Sequence, residues 1–202
     1  RGRAAVERPL GEWVRGLDRT APRFRQSQVE ALWLYRSLGA TNVPLWREVL
    51  GCDQPLARSA ATRQLRYWHV LLPDALDVLR ARARDESGLV RMEAVIAASY
   101  LGTAAALDAI LPALERPADA HLTYAIRTSL DSEALARHWK NNRAALAARP
   151  ALATFQERLT TEETSRRKKS APKQNPAEVA FDRQPDLLTI RISTVPERML
   201  FD

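Results

Sequence analysis

Cysteine is almost absent. Cys52 is the single one in 202 residues, so no internal disulfide can form, and no Cys-x-x-Cys pair exists to hold zinc or a redox centre. The haem-attachment pattern Cys-x-x-Cys-His is missing with it. A small buried thiol is the plain reading of Cys52. Glycine is scarce, with seven in the chain, and β-branched residues are few before position 160; both favour helix over sheet. No run of about 18 apolar residues occurs, so no transmembrane helix is expected. Neither a Gly-x-Ser-x-Gly elbow, nor a P-loop, nor a dinucleotide-fold glycine fingerprint is present. The histidines, His69, His121 and His138, stand far apart, and none has a second ligand at helical spacing; Asp119 and His121, two apart, do not share a helix face. No catalytic group, metal site or cofactor is therefore expected within this chain.

Hydrophobic content is 46%, enough for a core. The net charge of +7 is unevenly spread. Residues 165–173 carry five basic side chains and no acidic one, including Arg166, Arg167, Lys168 and Lys169. That run could contact an acidic partner; its default reading is a solvated linker.

Apolar periodicity carries the fold. Gln28 to Leu38 reads as a helix ended by Gly39. Pro44 opens a second helix through Trp46 and Leu50, proline being tolerated in a first turn. Leu56–Trp68 with Ala75–Ala83, then Val90–Leu101 with Ala104–Leu114, give two further pairs, and His121–Leu130 is followed by a helix over Ala134–Ala148. Residues 5–17 read as a short or broken helix. The copies superpose: Gln28-Val29-Glu30-Ala31-Leu32 matches Arg58-Ser59-Ala60-Ala61-Thr62, then Arg91-Met92-Glu93-Ala94-Val95, with a weaker copy at Leu122-Thr123-Tyr124-Ala125-Ile126. Two helices per period of roughly 30 residues is the pattern of an α-solenoid, whose core forms only by stacking. Within it Leu89, Met92, Val95, Ile96 and Tyr100 fall on one face, and Leu32, Trp33, Leu65, Val95 and Ile96 are expected in the core.

Other residues suggest chemistry but have plainer readings. Glu30 and Glu93 occupy equivalent repeat positions, which argues for a structural role such as pairing with an arginine of the neighbouring repeat. Trp33, Trp46, Trp68 and Trp139 read as core packing. Arg63, Arg66, Arg80, Arg82 and Arg84 could line a concave surface and hold phosphate. Asp74, Asp77, Asp85 and Glu86 are interspersed among them, which favours a solvated mixed-charge surface.

The pattern changes after residue 160. Residues 161–186 are polar, charged and proline-bearing and read as a flexible basic linker. Leu188, Ile190 and Ile192 then alternate with Thr189, Arg191 and Ser193, the period of a β-strand. A lone strand has no partner for its backbone groups, so residues 187–194 are expected to be disordered, to lie against the helices, or to pair with another chain. The first residue is Arg1, no signal peptide is visible, and the chain ends just after this strand, so a piece of a longer protein is expected.

Gln28–Tyr35, Ala57–Trp68, Val90–Val95 and Leu122–Leu130 with Trp139, in that order, resemble the HEAT segment of PVC-type haem-binding proteins, large exported bacterial proteins also called membrane-bound dehydrogenases. Leu188–Asp202 is similar to the first strand and turn of an azurin- or auracyanin-like cupredoxin. The resemblance implies an all-α HEAT-like superhelix over 1–160, the linker 161–186, and a truncated copper-domain start at 187–202. It implies a periplasmic or exported parent with haem c and copper, in which this chain is a scaffold docking other domains of the parent or a redox protein. Two other classes stand beside it: a nucleic-acid-binding HEAT module of the DNA-repair type, marked by a clustered basic concave face, and a helical-repeat lyase, marked by a cavity with convergent polar groups.

Overall fold

The computed structural model describes residues 2–170 and the two strand segments 179–184 and 187–192. Residues 1–157 form one compact unit. It begins with α1 (Ala4–Arg15), and two layers of helices follow. The first layer contains α2 (Phe24–Ser37), α4 (Pro55–Arg63) with its short continuation α5 (Leu65–Trp68), α7 (Gly88–Leu101) and α9 (Ala120–Asp131). Neighbours within it pack side by side, α2 on α4, α4 on α7, and α7 on α9. The second layer contains α3 (Val43–Leu50), α6 (Ala75–Ala83) and α8 (Ala104–Leu114), with α6 packed on α8. The layers join where α3 meets α4, α6 meets α7, and α7 meets α8. The short α10 (Glu133–Ala136) lies against α7 and α9. This alternation is the stacked helix-pair architecture that the repeat implies.

Local chemistry sets the ends of these helices. Gly39 takes φ +63° after α2, and Ala40 N–H reaches back to the Tyr35 carbonyl at 2.8 Å, a left-handed stop that glycine adopts without strain. Gly102 does the same after α7 at φ +64°, where an added Cβ would come within 3.3 Å of Ala134 Cβ. Asn42, Thr103 and Asp119 each accept a backbone N–H from their helix's first turn, satisfying donors that a helix start leaves free. Between the layers, Leu32, Leu65, Leu79, Val95, Leu107, Ile110 and Ile126 are fully buried.

The face of α7 differs from its periodicity. Of the five residues expected to share its apolar face, Val95 alone is fully buried; Met92 and Ile96 are half-buried, and Leu89 and Tyr100 are 45% and 54% exposed. The buried side is instead Val90, Ala94, Val95, Ala97 and Ala98. Small side chains let α4 and α9 approach closely, so the alanine side is drawn inward and the larger side chains face out. Trp33 is likewise 42% exposed, so it and Ile96 leave the expected core list, while Leu32, Leu65 and Val95 stay on it. Leu89→Ser and Tyr100→Ser are each expected to shift stability by no more than about 1 kcal/mol, measured as urea midpoints. Losses of about 2–5 kcal/mol, the range for truncating a core side chain, would put them back in the core.

Three expected continuous segments are interrupted or extended. Residues 56–68 break at Gln64, and the chain adds a 3₁₀ turn at His69–Leu71. Residues 134–148 form α10, an irregular stretch, then α11 (Arg143–Ala147). The cause is local: Trp139 turns inward to donate from Nε1 to the Leu130 carbonyl (3.1 Å), Asn141 takes φ +59°, and Asn142 caps α11. The third difference is α12 (Pro150–Ser170), which runs ten residues into the segment expected as linker. Proline suits its first position, and no glycine or proline follows before Ser170. Polarity there excluded burial, which is a different matter from helix. The first part of α12 belongs to the compact unit, where Leu152 and Phe155 are buried.

The remaining described segments belong to a separate unit, residues 158–202. β2 (Leu187–Ile192) is the strand its alternation predicts. It does not lack a partner: β1 (Val179–Gln184), inside the expected linker, pairs with it antiparallel, Phe181 opposite Ile190. The rest of 171–186 and all of 193–202, on which much of the cupredoxin likeness rests, lie outside the described residues.

Candidate docking surface

The inter-repeat turns come first, because they hold the layers in register. Arg58 on α4 and Arg91 on α7 occupy equivalent positions and are both buried. Arg58 Nη1 donates to the carbonyls of Cys52 (3.0 Å) and Asp53 (2.9 Å), in the turn before its own helix. Its Nε and Nη2 donate to the Asp85 carboxylate (3.2 and 3.0 Å) in the next turn, and Nη2 also reaches Glu86 (3.2 Å). Arg91 repeats the pattern one turn on: Nη1 donates to the carbonyls of Asp85 (2.9 Å) and Glu86 (2.8 Å), and Nη2 to that of Pro117 (2.7 Å). The surroundings differ. The Asp85 carboxylate raises the pKa of Arg58, chiefly through its hydrogen bond. Arg91 is held below the ordinary arginine value, first by burial and then by Arg116 nearby. Sequence reasoning missed both staples. The signal was present, an arginine opening the matched motif in consecutive repeats and following an acidic turn by five or six residues.

The outer face of the first layer is the second feature. Glu93 is buried to 3% on α7 and is gripped from the preceding repeat by two arginines. Arg63 donates to it from Nε (3.1 Å) and Nη2 (2.6 Å), and Arg66 from Nη2. The Glu93 hydrogen bond raises the pKa of Arg63. Next to this trio runs a row of tyrosines. Arg36 lies over the Tyr67 ring at 4.8 Å, Arg66 lies 5.8 Å from the Tyr100 ring, and the two tyrosine rings are 6.4 Å apart. Cation–π contact fixes a ring's orientation while leaving its edge free. Trp33, Tyr67, Leu89, Tyr100 and Tyr124 are all exposed large hydrophobics of this layer.

The other candidates from the sequence are dispersed. Glu30 does not share the fate of Glu93: among the described residues its partner is Gln26 on the same helix (2.9 Å). The five arginines do not form one patch. Arg63 and Arg66 serve Glu93, Arg80 pairs with Asp77 (2.8 Å), Arg82 bonds the Leu50 carbonyl (3.1 Å) and Asp85 (3.3 Å), and Arg84 is exposed. His69 donates from Nδ1 to the Leu65 carbonyl (2.9 Å) and His138 from Nε2 to that of Gly102 (2.9 Å). Among the described residues no three His, Cys, Asp or Glu side chains gather into a metal-binding group. Cys52 is buried. Trp46, Trp68 and Trp139 are core residues, as expected. Arg166, Arg167, Lys168 and Lys169 fall at the end of α12, and their side chains lie outside the described residues. A cleft of about 470 Å³ opens near α1, α2 and α3. The carboxylate lining it, Glu48, already faces Arg19 (3.3 Å) and Arg25 (3.5 Å).

Known proteins bear on this geometry at one point. The family model for HEAT repeats matches residues 43–131, which spans α3 to α9. No curated protein and no solved structure matches the chain.

Proposed function

We propose that this HEAT-repeat solenoid is a non-catalytic docking scaffold within a larger exported redox protein. HEAT repeats are in general scaffolds that mediate protein–protein contact, and no helix among the described residues is long and apolar enough to cross a membrane. The observation that carries the scaffold reading is the use made of the polar groups. Arg58, Arg91, Glu93, Arg63 and Arg66 all tie one repeat to the next. A catalytic site needs polar groups aimed at a substrate instead, and the Glu48 cleft offers a carboxylate already facing two arginines. The arginines of a repair-type module would form one basic face, whereas here Arg63, Arg66, Arg80 and Arg82 are divided between the layers and each faces an acid.

The redox parent rests on the resemblance of the ordered motifs from Gln28 to Trp139, and the copper domain on Leu188–Asp202. In this reading haem c and copper belong to other domains of the parent, the parent is periplasmic or exported, and the partners are those domains or a redox protein. The test uses the purified 202-residue chain and the domains encoded beside it. The chain alone is expected to bind neither haem nor Cu(II) by titration calorimetry and to oxidise no sugar, while the flanking domains co-elute with it on gel filtration. Stoichiometric haem or copper uptake by the chain itself, or flanking domains that elute alone, would overturn the proposal.

A further inference from the structure

The outward stripe of α7 is apolar, and the fold covers it only in part: Tyr100 meets Tyr67 and Arg66 at one end. Leu89, Met92, Ile96 and Tyr100 recur at helical spacing and are half-buried or exposed. The packing of α7 is secured on its other side by Val90, Ala94, Val95, Ala97 and Ala98. Solvent-facing apolar area in a contiguous stripe marks a surface that another molecule completes.

The charges around the stripe indicate what that molecule is. Arg36 lies over Tyr67 and meets no carboxylate among the described residues. Arg63 is half exposed and uses Nε and Nη2 on Glu93, which leaves Nη1 without an acceptor among the described residues. The carboxylates of this face are already engaged: Glu93 between two arginines, Glu30 by Gln26, and Asp131 by Lys140 (3.1 Å). Apart from Lys140, its cations are guanidinium groups, since the chain has no lysine before that residue. Tyrosine, tryptophan and arginine with lysine depleted is the composition of protein-interface centres. A nucleic-acid strand would call for many phosphate contacts along its length, and the small positive excess here matches a few carboxylates.

We propose that the outward face of α7, flanked by Arg36 and Arg63, binds an acidic peptide segment of a partner protein. Aliphatic or aromatic side chains of the segment seat along Leu89, Met92, Ile96 and Tyr100, and its carboxylates meet the two guanidinium groups. This rests on the scaffold reading and names the face and the partner chemistry.

The probe is a fluorescein-labelled peptide of 12 residues, alternating Asp or Glu with Leu or Phe, titrated with the full chain by fluorescence anisotropy. Binding is expected to fall at least about tenfold in Leu89→Ser/Tyr100→Ser and in Arg36→Glu, to weaken with salt, and to be unchanged in Val6→Ser, an exposed apolar position on α1. Thermal melts of each variant confirm folding. The proposal is overturned if the intact chain does not bind the peptide, binds a lysine-for-acid version equally, or prefers oligouridine. It is also overturned if the Leu89→Ser/Tyr100→Ser change abolishes self-association and leaves peptide binding intact. Peptide failure with flanking domains still co-eluting removes this face and leaves the scaffold; failure of both removes the scaffold too.

Discussion

Truncating Trp46 to alanine is expected to cost about 3–5 kcal/mol of stability, and Trp46→Phe no more than about 1–2 kcal/mol. The indole is fully buried on α3 at the seam with α4. Its Nε1 donates to the Ala61 carbonyl at 2.8 Å, close to the interruption of α4 at Gln64. That carbonyl also accepts Gln64 N–H at 3.0 Å, so a phenylalanine removes one hydrogen bond without leaving a buried acceptor bare. Alanine leaves a cavity between two repeats, whose backbones are held elsewhere by the arginine staples and cannot close it freely. Urea denaturation with a constant m-value is the measurement. An alanine variant that loses less than about 1 kcal/mol would show that the seam collapses onto the space. A phenylalanine variant as weak as alanine would place the stability in the hydrogen bond and not in the packing. Trp139 repeats the device with the Leu130 carbonyl at the end of α9.

What the sequence could show, and what it could not, divides along physical lines. Helix pairs and their order were readable from the recurring motif at 28–32, 58–62 and 91–95, because stacking forces each copy to present similar small and apolar positions to its neighbours. The bounds of α6 and α8 follow directly from the apolar pattern with Pro73-Asp74 and Thr103 before it. The facing of α7 was not readable. Periodicity weighs large side chains above alanine, whereas close helix approach selects alanine, and the two sides of α7 therefore exchange roles. Glu30 and Glu93 show the same limit for charge. Their positions are equivalent, yet the outcome depends on Arg63 and Arg66, which the repeat before α7 supplies; on α2 the partner is a glutamine of the same helix. The break at 137–142 had a signal in Asn141-Asn142, residues that tolerate a left-handed turn and cap helices. The outward stripe of α7 was equally illegible, since Leu89 and Tyr100 look like core until their neighbours are known.

Arg58→Met is expected to cost about 3–5 kcal/mol, and Arg91→Met about 1–3 kcal/mol, although the two are equally buried and in register. The difference lies in what each leaves behind. Without Arg58, the Asp85 carboxylate, itself 7% exposed, retains Arg82 at 3.3 Å and Ser87 N–H at 2.9 Å but loses its closest guanidinium. A buried charge deprived of its partner cannot recover its hydration. Without Arg91 the unpaired groups are neutral carbonyls at the edge of the turn, and methionine keeps the apolar length of the arginine stem. Removing this guanidinium also relieves its burial and its repulsion with Arg116, the two causes that hold its pKa down. Neither effect should depend on pH between the carboxylate and the arginine ranges, where Asp85 and both guanidinium groups keep their charges. The raised pKa of Arg58 means that its contribution is complete below the ordinary arginine value and fades only above it. A double-mutant cycle with Asp85→Asn separates the two cases. Coupling to Arg58→Met should reach about 1–3 kcal/mol, and coupling to Arg91→Met should stay within about 0.5 kcal/mol, because Arg91 bonds the Asp85 backbone and not its side chain. Equal couplings would mean that the carboxylate is not the origin of the difference, and that the two staples act through backbone carbonyls alone.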